Sequence, residues 1–246
     1  MKYFYSASAM GYGYGRWWHK YYKFPEFHRV TKTLTLEPRT GVPFAIFKFG
    51  NTVWNRVGLH NFGFNEWIRD FHHKCGFYIY RKKNIIVSVA GTDYEIEEIV
   101  HGSLDLYCYD IAGIELNFSC PNVKNYENKK VPYTNLMKIS KLPLYLKLNC
   151  EQNPYDYELD NVAGIRLNSV PIKFGGLSGK AAQKKNWEFI YKFNREGLNV
   201  SGCSFSDNDD LYILEDLGCK EIGIGSTMLT NPHLVETLGS KKHDKK

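Results

Sequence analysis

Residues 114–123 read IELNFSCPNV. In an extended strand successive side chains point to opposite faces, so Ile114, Leu116 and Phe118 pack on one side, while Asn117, Ser119 and Cys120 come where the strand gives way to loop. A strand that delivers two amides, a hydroxyl and a thiol to one end belongs to a fold whose chemistry gathers at strand ends. Working outward, further candidate strands end near Ser8, Lys32, Ala90, Leu148, Leu167, Ser201 and Ile224, which makes Asn117 the end of the fourth of eight. Helical stretches fall between several of them: RWWHKYYKF (16–24), NEWIRDFHHKC (65–75), YTNLMKISK (133–141), GKAAQKKNWEFIYKFNREG (179–197) and DNDDLYILEDLG (207–218). In the last, Asp207 is a candidate N-cap and Gly218 a C-terminal stop.

Eight strands alternating with helices in 246 residues match the size of a (β/α)₈ barrel, an α/β fold whose active sites lie at the C-terminal strand ends. The segment 33–61 breaks the alternation with turn residues and short apolar alternations, and reads as an excursion of small β-strands over the C-terminal mouth. Only about 16 residues separate the strand ending at Leu148 from the one near Ile165, close to the minimum for a crossover. The reading is one domain over residues 1–240 followed by a basic tail, 241–246.

A composition of 43% hydrophobic and 15% aromatic residues supplies a sizeable core. No apolar run reaches the roughly 18 residues of a membrane span, and MKYFYSASAM lacks the apolar middle of a secretory signal, so a soluble, cytoplasmic protein is expected. The six cysteines (75, 108, 120, 150, 203 and 219) form no CxxC pair, which argues against zinc ribbons, iron–sulfur clusters and disulfide scaffolds. His72, His73 and Cys75 end a helix without further ligands at zinc spacing, so no metal is expected. Of the formal charge of +6, the tail contributes +3, four lysines against Asp244. The remaining excess suits an anionic ligand and does not call for nucleic acid. The run GYGYGRWWHKYYKFPEF mixes bases and aromatics as a stacking surface would, but Trp17, Trp18, Tyr21 and Tyr22 fall at helical spacing, which favours an amphipathic helix docked on the barrel.

Five segments, VTKTLT (30–35), NRVGLHN (55–61), NFSCPN (117–122), FGGLSG (174–179) and IGST (224–227), resemble the motifs of the dihydroorotate dehydrogenase family, in the same order. The resemblance runs from about Ser6 to Leu238. It implies an FMN-dependent barrel that oxidises dihydroorotate to orotate in de novo pyrimidine biosynthesis. Cys120 matches the catalytic base of the class 1 members, and a thiol with a reference pKa of about 8.5 is far easier to deprotonate near neutrality than a hydroxyl. By the same resemblance Lys32, Asn55, Gly58, Leu59, Asn117, Asn122, Asn168 and Ser169 line the substrate. Asparagine offers both an acceptor and a donor, the pairing that the two imide-like edges of a pyrimidine need. A cation at Lys32 suits the orotate carboxylate.

The flavin contacts implied are Ala7, Ser8, Lys32, Thr33, Ser88, Asn117, Lys147, Gly175, Gly176, Gly202, Cys203, Gly225 and Ser226. Lys147 would stand near the flavin N1 side, where negative charge gathers on reduction. The glycines would let backbone N–H groups approach the phosphate. Two positions depart from the family pattern. Ala9 stands where a glycine is usual, and Cys203 replaces a second glycine after Gly202, adding bulk and removing a position suited to positive φ. The electron acceptor is fumarate or a separate electron-transfer subunit, and a homodimer is open. Two other readings remain: a dihydrouridine synthase-like flavoenzyme acting on tRNA, and a barrel that has kept the fold without turnover and serves as a binding protein.

Overall fold

The apolar runs IIVSV (85–89) and LYLKL (144–148) are buried at every position, as parallel strands covered on both faces must be. The structure, a computed structural model, describes residues 1–6, 21–42, 45–75, 85–105, 111–119 and 142–239. Its strands are β1 (Lys2–Tyr5), β2 (His28–Val30), β3 (Ile46–Phe49), β4 (Thr52–Asn55), β5 (Ile85–Val89), β6 (Ile111–Asn117), β7 (Leu144–Leu148), β8 (Val162–Leu167), β9 (Val170–Ile172), β10 (Gly175–Gly179) and β11 (Glu221–Ile224). Seven of them form a parallel sheet in the order β11-β1-β2-β5-β6-β7-β8.

The sheet closes through residues 200–202. Val200 bridges Ile165 of β8, and Gly202 bridges Ile222 of β11. The Ser201 N–H donates to Ile165 O and the Gly202 N–H to Glu221 O, both at 2.8 Å. This segment is the missing stave, and the eight-fold barrel read from the sequence is the fold observed. Inside it sits a small apolar layer of Phe4, Val30, Ile86 and Tyr145. The larger core lies outside, between sheet and helices.

The helices are α1 (Phe64–Cys75), α2 (Asp93–Asp105), α3 (Gln183–Arg195), α4 (Asn208–Asp216), α5 (Thr227–Thr230) and α6 (Pro232–Thr237). On α3, Asn186, Phe189, Ile190 and Phe193 are buried at i, i+3, i+4 and i+7, one stripe against the sheet. Each fully buried Phe or Ile contributes roughly 1.5–3 kcal/mol. Asp207 caps α4 by accepting from the Asp210 N–H at 2.9 Å, and Gly218, at φ +83°, follows its end. Helix α2 is absent from the helical stretches read from the sequence. It shows the same stripe at Ile96, Ile99, Val100 and Ser103, and Thr92 and Glu95 bond reciprocally as a capping box.

Between Leu148 and Val162, the short crossover, the only helical element is a 3₁₀ turn, Pro154–Asp156, capped by Asn153. Two expectations change. Tyr21 to Phe24 form a turn and irregular chain, so no helix covers the end of RWWHKYYKF; its first five residues, the whole of YTNLMKISK and the basic tail lie outside the described residues. The second change concerns the mouth. The excursion at 33–61 does contain the hairpin β3–β4, but that hairpin pairs with a second one, β9–β10, in an antiparallel sheet of order β3-β4-β10-β9. Gly175 and Gly176, expected in a phosphate loop, are strand residues of this lid. The glycines are required by the pairing itself: a Cβ on Gly175 would lie 2.2 Å from Asn55 O, and one on Gly179 2.1 Å from Asn51 O. Among the described residues no helix is long and apolar enough to cross a membrane.

Candidate active site

Inward positions of a barrel strand recur every second residue, so Glu115 and Asn117 share a face, as do Tyr145 and Lys147, and Arg166 and Asn168. The upper member of each pair, Asn117, Lys147 and Asn168, joins the lid in lining a cavity of about 310 Å³ at the C-terminal end of the barrel, within the range of small-molecule sites. Lys32, Thr33, Asn55, Gly58, Leu59, Asn117, Lys147, Asn168 and Ser169 all line it. So do Gly175 and Gly176 from the lid, and Gly202, Cys203, Gly225 and Ser226 from the last two barrel staves. Ala7, Ser8, Cys120 and Asn122 lie outside the described residues, as does Ala9. Ser88 is described but is not part of the lining. It is fully buried beneath the cavity, donating to Glu115 Oε1 at 2.8 Å and sharing a 3.0 Å hydrogen bond with Thr33 Oγ1.

The asparagines are held in one orientation. The Ser119 N–H and hydroxyl both donate to Asn117 Oδ1, at 3.1 and 2.6 Å, and Asn117 Nδ2 donates to Thr33 Oγ1 at 2.7 Å. Asn168 Nδ2 donates to Ser119 Oγ at 2.8 Å. Ser119 thus fastens the end of β6 to Asn168 just past β8. Lys147, only 7% exposed, has its ammonium 3.6 Å from Glu115 Oε1. The other oxygen of Glu115 meets Arg166 NH1 at 3.4 Å, and the Arg166 guanidinium is sandwiched between the rings of Phe4 (4.0 Å) and Tyr145 (3.7 Å). Neither Glu115 nor Arg166 stands among the candidate residues read from the sequence. The signal available was their two-residue offset from Asn117 and Asn168.

At the corner made by the last staves, the left-handed backbone falls on Ser204 (φ 62°) and not on Cys203. The cysteine therefore occupies a position that asks for no positive φ, and the conformational concern raised by the lost glycine moves one residue on. Ser204 Oγ accepts from the buried Asn186 amide at 3.0 Å, which fixes that turn. Among the described residues, the N–H groups of Ser204, Gly225 and Ser226 meet no protein acceptor. Backbone donors left over at a cavity wall fit an anionic group such as a phosphate. Cys203 lines the cavity and packs against the core, and burial pushes its thiol pKa up to about 12. Burial does the same at Cys219, to about 12, and burial followed by the nearby Glu151 carboxylate raises Cys150. Among the described residues no group of three His, Cys, Asp or Glu side chains could hold a metal ion.

Fold and site together define a parallel (β/α)₈ barrel with a ligand cavity under a β lid, lysine at its floor and backbone amides at one wall that meet no acceptor among the described residues. A family model for dihydroorotate dehydrogenase matches residues 8–156. Relatives named dihydroorotate dehydrogenase B (NAD(+)), catalytic subunit, include one from Thermoplasma volcanium, 28% identical across 79% of this chain and 73% of its own length. Another, from Endomicrobium trichonymphae, is 33% identical across 82% of this chain and 74% of its own length. The chain belongs to the dihydroorotate dehydrogenase family. The crystal structure of DHODH from Eimeria tenella in complex with ferulenol shares the fold, with a TM-score of 0.71 at 13% identity over 96% of this chain and 79% of that one.

Proposed function

We propose that the protein oxidises dihydroorotate to orotate in pyrimidine biosynthesis, using FMN and Cys120 as the general base. The observation that carries this reading is the convergence of Lys32, Asn55, Asn117 and Asn168 with Lys147 and the backbone of Ser204, Gly225 and Ser226 around one cavity. Desaturating the bond beside a carbonyl removes a proton from one carbon and a hydride from its neighbour. Bound FMN supplies the hydride acceptor.

The chain's own groups do the rest. The amides of Asn55, Asn117 and Asn168 hold the pyrimidine edges, and Lys32 with the Gly58–Leu59 backbone receives the carboxylate. Lys147 would hold bound FMN on the side where reduction brings negative charge, which its ammonium would stabilise. Ser204, Gly225 and Ser226 would hold the phosphate. Cys120, which directly follows the anchored Ser119, takes the substrate proton at its sulfur. The relatives bear the name of a catalytic subunit with NAD(+) as acceptor, which supports a separate electron-transfer subunit as the partner here.

The test is anaerobic reduction. FMN-loaded wild-type protein should bleach on addition of dihydroorotate, while Cys120→Ala should bind FMN as well and fail to bleach at a useful rate. Equal bleaching in both would remove Cys120 from the mechanism. A protein that cannot be reconstituted with FMN would favour a binding role for the barrel.

A further inference from the structure

The hydrogen bonds under the cavity run in one direction. A backbone N–H can only donate, so the Asn117 atom that Ser119 N–H meets is Oδ1, and the atom turned to Thr33 is Nδ2. A carboxylate only accepts, so the Ser88 hydroxyl proton points at Glu115, and in the Thr33–Ser88 contact Thr33 must be the donor. The sequence of donors is then Asn168, Ser119, Asn117, Thr33, Ser88, ending on Glu115. Chains of this kind polarise one another; here the Ser119 N–H sets the sense at Asn117 and the Glu115 anion sets it at the Thr33 and Ser88 hydroxyls.

Glu115 has a second set of neighbours. Its carboxylate, 2% exposed, lies 3.6 Å from the Lys147 ammonium and 3.4 Å from Arg166, whose other nitrogen is 3.6 Å from Glu221. Neither Glu115 nor Ser88 lines the cavity, whereas Asn168, Asn117, Thr33 and Lys147 do. One buried charge is therefore in contact with the lysine on one side and, through a single relay, with two asparagines on the other.

We propose that Glu115 is a positioning residue shared by both halves of the site: through Ser88 and Thr33 it anchors the Asn117 amide that the Ser119 N–H orients toward a pyrimidine, and it holds the Lys147 ammonium and offsets its charge near bound FMN. This rests on the proposed function above, since it assigns the two halves to substrate and cofactor. Glu115→Gln keeps the volume but removes the anion, and its amide can now donate to Ser88, so the Ser88 and Thr33 hydroxyls lose their fixed sense while the Ser119 N–H still holds Asn117 Oδ1. Ser88→Ala cuts the relay while leaving the Glu115–Lys147 pair intact.

The experiment measures orotate affinity and flavin midpoint potential at pH 6 on the FMN-loaded proteins. In Glu115→Gln, orotate should bind about three- to tenfold more weakly, one hydrogen bond's worth, and the potential should move positive, because a negative charge next to the reduced ring has gone. In Ser88→Ala, orotate should weaken by a similar factor with the potential unmoved. Lys147→Ala should shift the potential less in a Glu115→Gln background than alone, the coupling that contact predicts. An unmoved potential in Glu115→Gln, or unchanged orotate binding in Ser88→Ala, overturns the inference; if Glu115→Gln does not fold, the Ser88→Ala titration decides. Wild-type protein that takes up neither FMN nor orotate overturns the proposed function and this inference together. Wild-type protein that binds both, with the variants unmoved, overturns this inference alone.

Discussion

Replacing Gly175 by alanine tests how the lid is fastened to the barrel mouth. Gly175 has φ +117°, and a Cβ there would lie 2.2 Å from Asn55 O, 3.1 Å from Asn55 C and 3.3 Å from Arg56 Cα. All three are backbone atoms, so no side chain can swing aside. Gly197, just past α3, is the control: its φ is +92°, and nothing lies within 4 Å of its Cβ position. Gly197→Ala should cost only the left-handed backbone, about 1–2 kcal/mol. Gly175→Ala adds the collision, about 1–3 kcal/mol more. The alternative for the chain is to let β10 leave β4, losing the pairs from Gly176–Asn55 to Gly179–Thr52, which is worth about 2–6 kcal/mol for four net hydrogen bonds. The two costs are comparable, so the lid frays while the barrel, with a total stability of about 5–15 kcal/mol, stays folded. At about 2–4 °C per kcal/mol the melting point of Gly175→Ala should fall roughly 2–12 °C below that of Gly197→Ala. Limited proteolysis should also cut the variant first within 170–179. If Gly175→Ala melts no lower than Gly197→Ala, the close approach to Asn55 does not fasten the lid.

The thiols give a pH test. Burial disfavours the thiolate, so Cys203 and Cys219, pushed up to about 12, and Cys150, also raised, should resist iodoacetamide at pH 8, and peptide mapping should find the first label on another cysteine. If Cys120 is the working base, flavin reduction should accelerate as pH rises toward about 8.5 and then level; a flat profile from about pH 6 to 9 would contradict it. Lys147→Ala should lower the flavin potential and loosen FMN, whereas Lys32→Ala should mainly weaken orotate, by about 1.5–3 kcal/mol in a calorimetric titration. Unchanged orotate binding in Lys32→Ala, with collapse in Lys147→Ala while FMN stays bound, would reverse that assignment.

The barrel was legible because its strands announce themselves. Seven of the eight staves end near the residues read from the sequence, most of them apolar runs such as IIVSV and LYLKL, and the eighth, 200–202, is held by two bridges and marked by Gly202. Helix α4 was legible from its cap and its glycine. Helix α2 was not, because acidic residues crowd DYEIEEIV and the apolar stripe shows only when Ile96, Ile99 and Val100 are read with Ser103. The lining residues were found by family motif, and a motif is silent about what lies beneath them. Glu115 and Arg166 are long-range partners from β6 and β8, and no local pattern couples residues 51 positions apart. The hairpin β9–β10 was missed for the same reason. FGGLSG reads as a loop until Asn55, far upstream, supplies the strand that makes those glycines necessary.

That lid has a consequence for the making of the protein. Asn55 pairs with Gly176, so β4 must wait for 121 further residues before its partner strand exists. At a synthesis rate of about 5–20 residues per second, that is roughly 6–24 s. Throughout that interval the β3–β4 hairpin has an open strand edge, and it carries Ile46, Phe47 and Phe49, which remain 48%, 45% and 68% exposed even in the finished fold. An unpaired edge beside exposed apolar side chains is a template for pairing with another chain, and Lys48 between the two phenylalanines is the charge that discourages it. Crowded ribosomes on one message would therefore be the place where this chain is most exposed to its own copies, and slowing translation of residues 56–175 would lengthen that exposure in direct proportion.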